Sequence, residues 1–160
     1  MSRPIRVLMI CMGNICRSPL AQGVFERLLQ EAGLQDAVHV DSAGTHAYHV
    51  GEPPDPRSCA TAQRREIDLS LQRARQVEPA DFERFDYLLA MDRQNLTALR
   101  RVCPADHAHK LRLFLEFAPE LGVEEVPDPY YGGPTGFEHV FDLVEAAGRG
   151  LLVEIRQSRL

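Results

Sequence analysis

The sequence predicts an α/β fold, a three-layer sandwich in which helices cover both faces of a central four-stranded parallel sheet. Three observations lead there. Ile5 to Cys11 is an unbroken apolar run bounded by Pro4 and Gly13, as expected of a strand buried on both faces. Strand-like and helix-like patterns then alternate along the chain, which is the signature of βαβ units. The 160 residues, 44% hydrophobic and 26% charged, suit a single domain spanning residues 1–160 around one substantial core.

The elements follow in order. After the first strand comes a turn containing Gly13 and Asn14. Ser18-Pro19 then starts a helix, with Ser18 as its N-cap and proline at the first helical position. Leu20, Val24, Leu28 and Leu29 form the apolar stripe, and Gly33 ends the helix. A second strand over residues 38–42 leads into a long loop holding Gly44, Gly51, Pro53, Pro54 and Pro56. A helix is expected over 57–66, a third buried strand over 87–90, a helix over 94–101 and a fourth strand over 110–114. The Pro/Gly-rich loop 127–136 precedes a last helix with Phe137, Val140, Phe141, Val144, Leu151, Leu152 and Ile155 at helical spacing.

Composition excludes several function classes. A net charge of −5 argues against a nucleic-acid binder, which usually shows a basic face. No apolar run approaches the roughly 20 residues of a membrane helix. The N-terminus has no apolar signal core, so a cytoplasmic protein is expected. Cys11, Cys16, Cys59 and Cys103 form neither a C-x-x-C pair nor a zinc spacing, and the six histidines are scattered. No metal and no cofactor are expected.

In open parallel sheets ligands bind beyond the carboxyl ends of the strands, and the first strand ends at Cys11. The segment Cys11-Met12-Gly13-Asn14-Ile15-Cys16-Arg17-Ser18-Pro19 lies between that strand and a helix N-terminus. A loop there can turn its backbone N–H groups inward as an anion cradle, aided by the helix dipole. Gly13 and Asn14 tolerate the left-handed backbone that such a cradle needs. Cys11 sits at its mouth, where N–H groups and a nearby arginine favour the thiolate. The Arg17 guanidinium matches two equatorial oxygens of a phosphoryl group.

The bare Cys-x5-Arg spacing is weak evidence, because four cysteines and 17 arginines give roughly 0.4 chance matches. Cys59 and Arg65 share it inside a helical pattern with no glycine, and read as a core-facing cysteine and a surface arginine. Around Cys11 the strand, the glycine, Ser-Pro and the helix all agree. Ser18 has a second compatible role, donating its hydroxyl to the Cys11 sulfur. Cys16 is either packing beneath the loop or a resolving thiol close enough for a disulfide with Cys11. Asp128, in Pro127-Asp128-Pro129-Tyr130-Tyr131-Gly132-Gly133, reads locally as an Asp-Pro turn former or as a carboxylic acid facing the cradle.

Cys11 to Pro19 resembles the active-site signature of the low-molecular-weight protein tyrosine phosphatases. The resemblance extends to Asp41-Ser42-Ala43-Gly44-Thr45, Ala90-Met91-Asp92 and 128–133, in the family's order, and covers essentially the whole chain. It implies a phosphotyrosine protein phosphatase acting through a phosphocysteine, with Asp128 as general acid. It also implies that Met12, Gly13, Asn14, Ile15 and Cys16 bind the phosphate and that Tyr130 and Tyr131 stack on the phenyl ring. Tyr48 is then the opposite wall of a slot too deep for a serine phosphate. Asn14 is expected to bond outward to Ser42. A histidine common in relatives is missing at Arg64-Arg65-Glu66-Ile67, and Asp92 reads as a helix cap or loop anchor. The partners implied are phosphotyrosine-containing proteins or peptides, with inorganic phosphate as product and inhibitor. Protein arginine phosphatases, which resemble this loop but typically carry threonine at the position of Ile15, are the alternative. Arsenate reductases are a more distant one, since Cys59 and Cys103 lack the spacing of their redox pair.

Overall fold

The computed structural model describes residues 3–130 and 134–160, with side chains for all but Pro134 and Thr135. β1 (Ile5–Cys11), β2 (Val38–Gly44), β3 (Tyr87–Ala90) and β4 (Leu111–Leu113) form the predicted parallel sheet, in the order β2-β1-β3-β4. Cys11 pairs with Gly44 and Ile10 with Ala90, so β2, β1 and β3 end on one edge.

Successive side chains of a strand point to opposite faces, and β1 shows why its run must be apolar throughout. Val7, Met9 and Cys11 enter one core with residues of α1 (Arg17–Glu31) and α5 (Pro134–Ser158), among them Phe25, Leu28, Phe141 and Val144. Leu8 and Ile10 enter a second core with Phe82 of α3 (Pro79–Arg84) and Leu96 and Leu99 of α4 (Arg93–Val102). α2 (Pro56–Gln63) packs beside α1 and α5. This is the three-layer arrangement.

Several boundaries differ from the sequence expectation, each for a local reason. β2 runs on to Gly44. α2 starts at Pro56 because the Asp55 carboxylate accepts from the Arg57 N–H. α4 starts at Arg93 because Asp92 and Asn95 cap one another reciprocally. α3 lies outside the sequence expectation: its six residues carry too little periodicity, and its start is marked by Pro79 and by Glu78 and Asp81 capping one another.

The Ser18 cap needs correction. α1 begins at Arg17, Cys16 stands in the cap position, and Ser18 lies inside the first turn with its hydroxyl engaged elsewhere. Pro19 is therefore the third helical residue, where the missing N–H still costs no intrahelical bond. Among the described residues no helix is long and apolar enough to cross a membrane.

α5 lies so close to the turn after β4 that a Cβ on Gly150 would fall 1.7 Å from the Phe117 carbonyl oxygen. A methyl there forces two packed backbones apart. Gly150→Ala is expected to lower unfolding free energy by about 1–3 kcal/mol, the usual cost of overpacking. A urea titration matching the parent midpoint would contradict this packing.

Candidate active site

At the edge where β1 ends, residues 12–16 curl between Cys11 and α1. Their carbonyls are tied outward: Cys11 O accepts from Thr45 N at 2.9 Å, Met12 O from His46 N at 3.0 Å, and Ile15 O from Asp55 N at 2.8 Å. Cys16 O accepts from the Ser58 hydroxyl at 3.2 Å. Each of these peptides turns its N–H, at residues 12, 13, 16 and 17, away from the pinned carbonyl and towards the inside, and among the described residues no backbone carbonyl accepts from the N–H groups of 13–16. The arrangement can bind an anion. Gly44 permits it, since a Cβ there would lie 2.7 Å from the Met12 oxygen.

Asn14 fixes the loop. It has the left-handed backbone the sequence suggested, with φ of 59°. Gly13 does not; it is needed for space, because a Cβ would meet the His49 ring at 3.0 Å. The Asn14 amide is oriented by its partners. Its Oδ1 accepts from the Arg75 N–H at 3.0 Å, and its Nδ2 donates to Ser18 Oγ at 2.8 Å and Ser42 Oγ at 3.0 Å. Ser42 in turn donates to Gln22 Oε1 at 2.7 Å. Ser18 Oγ stands 3.0 Å from Cys11 Sγ and accepts from Asn14; a Cys11 thiolate has no proton to give, so with the thiolate the serine hydroxyl is the donor of that bond.

The stretch 64–67 plays no part in this network. Arg64 and Arg65 turn instead to Glu138 on α5, each at 2.6 Å. The Arg75 backbone supplies the donor that Asn14 needs.

Arg17 is 3% exposed and reaches the cavity from the first turn of α1. Its Nη1 donates to Asp92 Oδ2 at 2.6 Å and to the Val126 carbonyl at 3.1 Å. Burial pulls its pKa down, but Cys11 and the Asp92 carboxylate outweigh it and raise the guanidinium above its usual value. Arg17 Nη2 lies 3.7 Å from Asp128 Oδ2. Asp128 is 36% exposed and its other oxygen accepts from the Tyr130 N–H at 3.0 Å. It is thus both the turn former and a carboxyl facing the cradle.

These groups open on a cavity of about 240 Å³ lined by Cys11, Met12, Ile15, Arg17, Asp128 and Tyr130 among others. Tyr48 also borders it, 70% exposed and stacked on His46 at 5.1 Å. Tyr131 lies outside the described residues. A larger hollow of about 570 Å³, around Arg6, Asp41 and Arg75, holds no nucleophile. Sequence reasoning missed His49, which lines the cavity and pairs with Glu52 at 2.5 Å. It also missed Gln22 and Arg75, whose roles depend on contacts distant in sequence.

All four cysteines are free thiols. Cys16 is buried at the base of the loop, and that burial, reinforced by Asp55, Cys11 and Asp128, pushes its pKa up to about 12. Burial likewise raises Cys59 and Cys103. Iodoacetate at neutral pH is therefore expected to label Cys11 in preference to the other three, with inorganic phosphate protecting. Peptide mapping that finds Cys16 carboxymethylated first would refute this assignment.

Comparison with known proteins gives concordant results. The family described as low molecular weight phosphotyrosine protein phosphatase matches residues 6–160. A low molecular weight protein-tyrosine-phosphatase of Streptomyces coelicolor is 44% identical over 155 residues, covering 95% of this chain and 94% of that one. A crystal structure of a protein tyrosine phosphatase from Entamoeba histolytica, with Hepes in its active site, superposes with a TM-score of 0.94 at 36% identity, covering 98% and 99% of the two chains. A Drosophila arginine phosphatase superposes with a TM-score of 0.89 at 28% identity, covering 96% and 99%.

Proposed function

The chain belongs to the low molecular weight phosphotyrosine protein phosphatases, and we propose that it hydrolyses phosphotyrosine in proteins or peptides through a phosphocysteine at Cys11, with Asp128 as the proton donor. The observation that carries this reading is the convergence of Cys11, Arg17 and Asp128 on one cavity beside inward-facing N–H groups.

The Cys11 thiolate attacks phosphorus in line with the leaving oxygen. As the S–P bond forms and the P–O bond breaks, Asp128 delivers its proton to the departing phenolate. Arg17 and the N–H groups of residues 12–17 hold the three equatorial oxygens. Asp128, now a carboxylate, takes a proton from water, whose oxygen attacks phosphorus. The S–P bond then breaks, releasing phosphate and restoring the thiolate. Ser18 stabilises that thiolate through the proton it aims at Sγ. The path is covalent catalysis with electrostatic stabilisation, and inorganic phosphate, its product, competes for the same cradle.

Ile15, Tyr48 and Tyr130 favour a flat aromatic substrate, since they give the cavity apolar and ring-bearing walls. The likeness to an arginine phosphatase keeps phosphoarginine as the second reading. The whole chain acts as one phosphatase domain, in the cytoplasm, where free thiols persist.

Asp128→Asn is expected to lower kcat on aryl phosphates about 10²–10⁴-fold, the range of general acid catalysis, with vanadate inhibition little changed. Cys11→Ser is expected to fold and be inactive. Phosphotyrosine peptides should be cleaved far faster than phosphoserine peptides, in the presence of EDTA. Faster turnover of phosphoarginine would install the second reading, and near-normal kcat in Asp128→Asn would remove that residue from the mechanism.

We further propose that Cys16, buried in the same loop, protects the nucleophile. A sulfenic acid on Cys11, formed by peroxide, can be attacked by the Cys16 sulfur, expelling water and leaving a Cys11–Cys16 disulfide that dithiothreitol reduces. Its thiol is held protonated by burial, so resolution is expected to be slow at neutral pH and to quicken as pH rises towards 12. Cys16→Ser should be about as active as the parent but recover poorly after peroxide. Full recovery, or oxidised protein with no such link by mass spectrometry, would leave Cys16 as packing only.

A further inference from the structure

Arg57, at the start of α2, makes a set of contacts that the mechanism above does not use. Its Nε and Nη2 form a fork on the Asp55 carboxylate, both at 3.0 Å, and Asp55 is itself buried. Its Nη1 donates to the Tyr130 carbonyl at 2.9 Å. The guanidinium also lies 5.2 Å from the centre of the Tyr130 ring and 4.7 Å from that of Phe137.

Followed atom by atom, these contacts join the two halves of the cavity. The Ile15 carbonyl of the nucleophile loop accepts from Asp55 N. The Asp55 carboxylate holds Arg57, Arg57 holds the Tyr130 carbonyl, and the Tyr130 N–H holds the Asp128 carboxylate. Ser58, the next residue, ties the Cys16 carbonyl from the same helix turn. Asp128 stands one residue past the proline that follows Val126, in a loop exposed on its outer side. The 3.7 Å separation from Arg17 exceeds a hydrogen bond, so Arg17 alone does not fix its reach.

We propose that Arg57 is a positioning residue that sets the distance between the Asp128 carboxyl and the leaving oxygen above Cys11. The inference rests on the assignment of Asp128 as proton donor. Arg57 donates to Asp55 and Tyr130 and to no residue of the loop 11–17, so its loss should weaken proton delivery far more than anion binding. A planar fork is required for this. One face of the guanidinium edge satisfies a carboxylate in two bonds while a further nitrogen reaches a carbonyl, and a lysine ammonium cannot span both.

Leaving-group dependence separates this role from a general structural one. Phenyl phosphate needs a proton at its leaving oxygen, whereas 2,4-dinitrophenyl phosphate, with an acidic phenol, does not. Arg57→Ala is expected to lower kcat/KM on phenyl phosphate about tenfold, a fraction of the full general-acid effect, and to change it less than about twofold on the dinitrophenyl ester. Vanadate inhibition should match the parent. Arg57→Lys, which keeps the charge and disturbs folding least, should show the same signature. In an Asp128→Asn background Arg57→Ala should add nothing on phenyl phosphate. Equal losses on both esters, no loss on either, or full additivity with Asp128→Asn would overturn the proposal. If Asp128→Asn itself leaves phenyl phosphate turnover unchanged, the assignment of the acid fails first, and the proposal with it.

Discussion

The nucleophile loop keeps its shape because every side-chain polar atom of Asn14 is committed to a neighbour, and each commitment forces the next. The Arg75 N–H can only donate, so it fixes which end of the amide is oxygen. The nitrogen end must then donate to Ser18 and Ser42. Ser18, held by that donor, stands 3.0 Å from the Cys11 sulfur and is the donor of that bond whenever the sulfur is a thiolate. A left-handed asparagine costs on the order of 1 kcal/mol. Three hydrogen bonds, two buried and one part-buried, offset that, at about 1 kcal/mol each. The sheet, the second-strand serine and the backbone at Arg75 therefore all act on the sulfur through one amide.

The second requirement is a guanidinium that is buried yet available. A cation at 3% exposure is tolerable only with a partner, since an unpaired buried charge costs several kcal/mol. Asp92 supplies it while doing another job. One oxygen caps α4 by accepting from the Asn95 N–H at 2.8 Å, and the other takes Arg17 at 2.6 Å. A capping carboxylate held in a reciprocal box has little freedom, so the arginine inherits the rigidity of the helix start. Asp92 as an anchor and not a catalyst is what its contacts describe.

What could be read in the sequence was what is encoded locally. A seven-residue apolar run, a glycine-asparagine turn and a proline near a helix start announced β1, the loop and α1 within a residue or two. At Asp128 the local signal, an Asp-Pro dipeptide in a glycine-rich loop, announced a turn, and the structure has that turn, whereas the reading of Asp128 as an acid came from the resemblance to the family and not from the local chemistry. The failures were of contact. Nothing near Arg57 says that its partner will be the Tyr130 carbonyl, 73 positions away. Gly13 looked like a residue chosen for backbone freedom, and the structure shows it chosen for the room it leaves to His49. Ser18 looked like a cap because serine before a helix usually is one, yet here its hydroxyl is taken up by the site. α3 is too short to declare itself by period.

The charge balance of the cavity explains why the backbone must carry so much of the binding. In the proposed reaction a phosphate-ester dianion beside a Cys11 thiolate would bring the local charge to about minus three, with the Asp92 carboxylate close by. Against this stands one buried cation, Arg17, one of whose nitrogens is already bound to Asp92 and the Val126 carbonyl. An added arginine would need burial and a carboxylate of its own, and would cancel what it brought. Inward N–H dipoles need no counter-ion, and four of the peptides are already oriented, because the carbonyls of Cys11, Met12, Ile15 and Cys16 are pinned to Thr45, His46, Asp55 and Ser58. An anion in the proposed cradle is therefore met chiefly by groups whose direction is set from outside the loop, by three backbone N–H groups and the Ser58 hydroxyl.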